Sequence, residues 1–400
     1  ILWIKNKAVI FLIFGRITAF SLNCSTMNIA PFKLERYFTL YEFTSKYSLC
    51  NSDCEAMSIG DLLKLEEGAV ENFLNTWLGY TQTKGDPDLR RDISTIYKVI
   101  SPEDLLVFTG AQEPIYLFCQ AMLEAGDEVI VQTPCYQSLK SVPESIGCKV
   151  QEWQVKYEGG TPTFDLEELE GMMSTKTKVL FINTPHNPTG YHFTLGEQEA
   201  LVALARKYGV MIFSDEVYRE LELKPEYLLP AMADVYELGV SLGVMSKAYG
   251  LPGLRIGWIA TKHQAVLSQL SILKEYTSMC NSAPSEFLAG LALRNRKQIL
   301  DRNLKIVLEN TRVYETFFQK YADLFSWFQP KAGPITFVKM LFSQDDASFA
   351  EKVLNEQQLL LLPGEVYDFN GFFRIGLGRK AIPEALEQFE IFLSNRIIKA

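Results

Sequence analysis

Between residues 105 and 260, short apolar runs alternate with longer stretches that are apolar at helical spacing. "DLLVFTG" reads as a strand ending in a turn, and "EPIYLFCQAMLEAG" as an amphipathic helix closed by glycine. "DEVIVQTP", "TKVLFINTP", "GVMIFSDE" and "GVSLGVMSK" are each apolar and then turn polar, and "LGEQEALVALARKYG" is a helix between two of them. Uninterrupted apolar strands separated by helices predict a mainly parallel sheet covered on both faces. Ligands bind such sheets beyond the carboxyl ends of the strands, which is where these runs become polar.

The pattern changes after residue 285. "APSEFLAGLALRNRKQILDRNLKIVLENTRVYETFFQKYAD" predicts a long helical region broken near its middle. "ITFVKMLF", "SFAEKVLNEQ" and "FFRIGLG" then read as strand, helix and strand, with a closing helix near 382–395. The expectation is an α/β protein with a large domain at 76–285 and a smaller α+β domain at 286–400. Residues 27–75 form the N-terminal part of that smaller domain, since termini on either side of an inserted core commonly meet. Residues 1–26 precede the first methionine, Met27. Lys5, Lys7 and the apolar run from Ala8 to Phe14 imitate a signal peptide, but Arg16 interrupts and no small-x-small cleavage site follows. They are read as an upstream, non-native or unstructured extension.

Composition narrows the partners. The protein is 48% hydrophobic and 22% charged, enough for a large core, and its net charge of −9 argues against nucleic-acid binding. No apolar run reaches the ~18 residues of a membrane span. Seven cysteines are scattered without a framework, and the closest pair, Cys50 and Cys54, has no third ligand nearby. Free thiols, no metal site and a cytoplasmic location are therefore expected.

The chemistry gathers at the strand ends: "TGAQE" (109–113), "TPCYQS" (133–138), "NTPHNPTG" (183–190), "SDEVYRE" (214–220), then Lys247 and Arg255. Lysine is almost never buried alone, yet Lys247 is the one amine in "SLGVMSKAYGLPGLRIGWIA". Together these groups suit a phosphorylated aromatic aldehyde. Gly110, Ala111 and Gln112 open a helix whose free amides make an anion site. Arg255 adds a bidentate phosphate contact. Tyr136 can stack on a ring, and Lys247 can form a Schiff base if its pKa is lowered. Asp215 can keep a pyridine nitrogen protonated, the condition for the electron sink of pyridoxal phosphate.

The sequence resembles the class I/II aminotransferases of fold type I. "GYTQTKGDPDLRR", "NPTG", "DEVY", "SKAYGLPGLRIG" and "FRIGLG" occur in the family's order between Tyr80 and Arg374. The resemblance implies Lys247 as the covalent link to pyridoxal 5'-phosphate, Asp215 on the pyridine nitrogen, and Asn187 and Tyr218 on the phenolic oxygen. It implies Tyr136 stacked on the ring, and Ala111, Gln112, Ser246 and Arg255 around the phosphate. Tyr80 would reach the phosphate of a neighbouring subunit in a homodimer. Arg374 would clamp the substrate carboxylate, with Arg379 as its rival. Such an enzyme acts on a free L-amino acid through an external aldimine and loss of the Cα proton.

Two features depart from the family. Val244 stands where a hydroxyl residue commonly meets the phosphate, and the usual "GxPD"-like turn of the substrate pocket is replaced by "NSDCEAMSIGDLLKLE". With "GAQE" and "VMSKAYGLPGLRIGW", this region is similar to a sub-branch of cyclases, capreomycidine synthase and the enduracididine-forming enzymes. These remove water from a hydroxylated arginine and close a guanidine ring. Such a substrate needs a carboxylate near its guanidinium, and Glu35, Asp53, Glu55 and Glu113 are the candidates. Glu113 also suits a plain role in complementing its helix dipole. Ordinary transamination, arginine oxidation and a catalytically silent binding module on the same fold are the competing readings.

Overall fold

The structure is a computed structural model that describes residues 9–13, 16–20 and 29–397. Its large sheet has seven strands: β1 (Leu105–Phe108), β2 (Glu128–Thr133), β3 (Lys149–Gln154), β4 (Thr177–Asn183), β5 (Met211–Asp215), β6 (Gly239–Val244) and β7 (Gly257–Ala260). The lateral order is β1-β7-β6-β5-β4-β2-β3. Only β7 runs antiparallel to its neighbours.

Both faces of this sheet are buried because successive side chains point to opposite sides of a strand. Val129, Val131, Phe181 and Phe213 pack with Ile115, Leu117 and Phe118 of the helix Gln112–Met122. Ile130, Leu180, Ile182 and Ile212 face the other way, onto Leu201, Val202 and Ala205 of the helix Leu195–Tyr208. That helix starts at a reciprocal cap. Thr194 Oγ1 accepts from the Glu197 amide at 3.2 Å, and Glu197 Oε2 accepts from the Thr194 amide at 2.6 Å.

The expected break in the long helical region falls at Asn295, between the helices Ala283–Arg294 and Arg296–Lys320. Beyond it lies a four-stranded antiparallel sheet of β8 (Phe325–Trp327), β9 (Ile335–Met340), β10 (Leu362–Pro363) and β11 (Phe372–Gly376), in the order β8-β9-β11-β10. The helices Asp346–Gln357 and Ile382–Ile397 complete this part of the protein.

The segment from Lys33 to Glu55 runs between the two sheets. It begins as the helix Lys33–Tyr41, and Tyr47–Ser48 then pairs in parallel with Leu359–Leu360. Further on, the Gly376 amide donates to the Leu49 carbonyl at 2.6 Å, and the Cys54 amide to the Lys247 carbonyl at 3.3 Å. Two glycines make this approach possible. A Cβ on Gly376 would lie 1.9 Å from the Asn51 carbonyl oxygen, and one on Gly378 would lie 2.4 Å from that of Asp53. The "IGLG" block therefore lets residues 51–55 lie flat against both sheets.

Within 1–26, the described residues form one antiparallel pair, Val9–Ile13 with Arg16–Phe20; the rest of that stretch lies outside the described residues. The six cysteines among the described residues are unpaired. No helix among the described residues is long and apolar enough to cross a membrane.

Candidate active site

Neighbouring strands of the large sheet end in register, with Asp215 opposite Asn183 on β4 and Leu242 on β6. These strand ends, the loop after β6, the start of the helix Gln112–Met122 and the 33–55 segment enclose a cavity of about 390 Å³. Lys247, Asp215, Tyr218, Asn187, Tyr136, Ser246, Arg255, Ala111, Gln112 and Arg374 all line it.

Lys247 Nζ donates to Ser52 Oγ at 2.8 Å. Burial pulls the amine's pKa down, with Asp53 pushing it up and Arg374 adding to the fall. A lowered pKa leaves more of the amine neutral and nucleophilic. Asp215 is 5% exposed, and burial raises its carboxyl to about 7 against the opposing Val217 amide, which it accepts at 3.3 Å. A carboxyl held there ionises readily once a cation faces it.

A run of hydrogen bonds joins Asp215 to Arg374. Asn183 Nδ2 donates to the Asp215 carbonyl at 2.8 Å, and Asn183 Oδ1 accepts from the Asn187 amide at 2.6 Å. Asn187 Oδ1 accepts from both Tyr367 Oη and Arg374 Nη1 at 3.1 Å, and Arg374 Nη1 also donates to Tyr367. Arg374 Nη2 donates to the Cys50 carbonyl at 2.7 Å. Arg374 is 1% exposed, and its Nε has no partner among the described residues. A buried guanidinium with an open donor is disfavoured until an anion completes it.

The opposite end of the cavity offers anion contacts of another kind. The helix Gln112–Met122 starts at Ala111, with no side-group acceptor capping it, so its first amides stay available. Ser246 Oγ is buried with no partner among the described residues. Gly110 holds φ +76°, and a Cβ there would sit 2.6 Å from Arg255 Nη2. Gly110 thus serves by making room for the arginine. Arg255 itself holds the left-handed φ of +51°, which a non-glycine residue adopts only when its surroundings impose it. Val244 lines the cavity too and supplies no hydroxyl.

These residues fit pyridoxal phosphate. An orphaned buried hydroxyl, free helix amides and a guanidinium suit the phosphate, and the buried Asp215 carboxyl suits a ring cation. Tyr136 is positioned over this space by Phe32, whose ring centroid is 5.0 Å away, and its hydroxyl donates to Glu35 Oε1 at 3.2 Å.

Besides Asp215, three carboxylates line the same cavity: Glu35, Glu42 and Asp53. Asp53 is committed to Arg379 by a two-pronged contact at 3.2 and 2.7 Å, which also occupies Arg379, whereas Arg374 keeps an open donor. The Glu42 carboxylate has no hydrogen bond or ion pair among the described residues, and burial, Asp53 and Glu35 all raise its pKa.

Two expected acidic residues are elsewhere. Glu113 does not line the cavity. Its Oε2 accepts from the Thr109 amide at 2.7 Å, and its Oε1 accepts from Thr277 Oγ1 at 2.6 Å and the Ser278 amide at 3.2 Å. These bonds outweigh burial and lower its pKa, so it is a fixed structural anion. Glu55 points instead to the Lys380 amide, at 2.9 Å. Tyr80 is 83% exposed on the surface beside Trp77 and Leu78, and does not line this cavity.

Sequence reasoning missed Ser52, Glu42, Asn183 and Tyr367. Asn183 opens the "NTPHNPTG" block and was legible there as a strand-end amide. The other three lie on segments whose approach to the strand ends no local pattern signals.

The fold and this cavity define a pyridoxal-phosphate-dependent enzyme. Residues 57–389 match the model of the aminotransferase class I and II family, and the protein belongs to that family. It is similar to a PLP-dependent aminotransferase from Streptococcus suis, at 31% identity and a TM-score of 0.87, covering 92% of this protein and 98% of that one. It is 29% identical to the aspartate aminotransferase of Thermotoga maritima, over 82% of this protein and 87% of the relative. It is 26% identical to the capreomycidine synthase of Streptomyces vinaceus, over 86% of each.

Proposed function

We propose that this enzyme takes a hydroxylated arginine and closes it, with loss of water, to a cyclic guanidino amino acid. The observation that supports this reading is the group of three cavity carboxylates besides Asp215, namely Glu35, Glu42 and Asp53, in a site whose opposite charge, Arg374, suits an α-carboxylate. Pyridoxal phosphate, when bound, supplies the electron sink that makes the Cα proton removable.

The protein's own residues account for the rest. Arg374 and Asn187 bind and orient the carboxylate. Lys247 Nζ takes the Cα proton. Asp215 stabilises positive charge at the sheet edge, and Tyr136 bounds the cavity. Glu42, with Glu35 beside it, takes the guanidinium, because a cation entering a partly dry site requires a counter-charge. The bond between the substrate's hydroxyl oxygen and its carbon breaks, a guanidine nitrogen forms the new bond to carbon, and one water departs.

The test is incubation with 3- and 4-hydroxyarginine, with and without pyruvate or 2-oxoglutarate, following products by mass. A product one water lighter, formed without a 2-oxo acid, supports cyclisation. An absolute need for the 2-oxo acid, with release of a new 2-oxo acid, would replace it with transamination.

We further propose a two-fold dimer, the commonest soluble assembly, in which Tyr80 completes the partner's phosphate site. Its support is the exposed apolar surface of Leu74, Trp77, Leu78, Tyr80 and Tyr276. Glu113 pins the neighbouring Thr277 and Ser278 and so shapes that surface.

A further inference from the structure

Ser52 lies in the rewritten segment "NSDCE" and is half-buried in the cavity wall. Its Oγ accepts from Lys247 Nζ at 2.8 Å. The same serine acts on Tyr218: burial pushes that phenol up, while Arg374 and a hydrogen bond with Ser52 pull against it. One hydroxyl thus bonds the amine and also bears on the charge of the phenol at the centre of the site.

Its placement is rigid. On one side the Gly376 amide holds the Leu49 carbonyl, and on the other the Cys54 amide donates to Lys247's own carbonyl at 3.3 Å. The Glu55 amide donates to the Gly378 carbonyl at 2.8 Å. A Cβ on Gly250, in the lysine loop, would come 2.6 Å from the Glu55 carbonyl oxygen. The segment carrying Ser52 is therefore clamped between the lysine loop and β11, and cannot shift without breaking contacts to both.

The amine has competing attractions. Asp53, Glu35 and Asp215 all draw the charge on Lys247. Two of these sit on the 33–55 segment and one at the end of β5, so electrostatics alone does not fix where Nζ points.

We propose that Ser52 is the positioning residue for the proton-transfer amine, its hydroxyl holding Lys247 Nζ in one place between these carboxylates. The hydroxyl, and not the volume of the serine, carries the effect. Proton transfer is sensitive to such placement: a displacement of about 1 Å can cost roughly a hundredfold in rate. This inference rests on family membership and not on cyclisation.

The test compares wild type, Ser52→Ala and Ser52→Thr as holoenzymes, measuring exchange of the substrate Cα proton in deuterium oxide by mass. Arginine and alanine are both used, so a wrong guanidino reading alters which amino acid exchanges and leaves the variant-to-wild-type ratio intact. Ser52→Ala should exchange about a hundredfold more slowly with KM changed by less than about threefold, and Ser52→Thr should recover most of the rate. A second measurement uses the cofactor-free full-length protein and follows carbamylation of Lys247 by cyanate against pH. The midpoint should fall in Ser52→Ala, because the ammonium loses its hydrogen-bond acceptor, and should return in Ser52→Thr. Unchanged exchange in Ser52→Ala, equal loss in both variants, or an unmoved midpoint would each overturn the proposal.

Discussion

Glu42→Gln is the sharpest probe of substrate choice, because it removes one charge and almost no volume. Glu42 lines the cavity and is half-buried, and its carboxylate makes no hydrogen bond or ion pair among the described residues. Glu35 and Asp53 already accept from Tyr136 and Arg379, so Glu42 is the carboxylate most available to a substrate cation. A charge-assisted hydrogen bond contributes about 1.5–3 kcal/mol, and partial exposure puts this site at about 2 kcal/mol. That corresponds to roughly a 30-fold loss in kcat/KM for a guanidino amino acid. A neutral amino acid of similar length should lose less than about threefold.

The pH dependence carries a second signature of the same residue. Burial, Asp53 and Glu35 raise the Glu42 pKa in the free enzyme, whereas a bound guanidinium lowers it. Binding the cation therefore expels a proton below the raised value. Affinity for the guanidino substrate should rise with pH through that pKa and level off above it. Glu42→Gln should flatten this limb. The assay is kcat/KM against pH for arginine and for norleucine, in wild type and variant. Retention of both the selectivity and the pH limb in Glu42→Gln would refute the assignment.

Asp215→Asn should keep the fold yet lose about 10²–10³-fold in turnover, the range for removing a preorganised electrostatic partner; near-normal kcat would show that Asp215 faces nothing charged in the reaction. Because its carboxyl is raised from 3.8 to about 7 in the folded protein, it stabilises the cofactor-free form fully below the lower value and loses that contribution as pH rises through the upper one. Denaturant melts of the cofactor-free protein should show this decline in wild type and lack it in Asp215→Asn. Ser246→Ala should weaken cofactor affinity about tenfold by fluorescence titration, one hydrogen bond to a charged group. Gly110→Ala should weaken it more, since a Cβ at φ +76° would displace Arg255; equal affinity to wild type would mean Arg255 is not a phosphate contact. Trp77→Glu should raise the dimer dissociation constant in sedimentation equilibrium, and an unchanged value would move the interface elsewhere.

Much of the site was legible because its elements are local. The apolar strands β4, β5 and β6 end where their composition turns polar, so Asn187, Asp215, Tyr218 and Lys247 share one edge of the sheet by construction. The glycine before the helix Gln112–Met122 and the lysine loop announce an anion site and an amine in the same way. A break near the middle of the long helical region was also expected, and it falls nearer the start, at Asn295.

What only the tertiary structure decided is which distant segment meets that edge. Nothing local in "NSDCE" places Ser52 on Lys247; the contact exists because Gly376 and Gly378, more than three hundred residues later, let two backbones touch. Glu113 shows the converse. It was one of four acidic candidates for the guanidinium, with a helix-dipole role as the plainer reading, and its carboxylate is satisfied by Thr109, Thr277 and Ser278 and turns away. A carboxylate's direction depends on which donors long-range packing brings within reach, and a buried anion takes the donors that satisfy it. Residue type and period determine where chemistry can collect. Close packing between segments remote in the sequence determines which of those groups face the substrate.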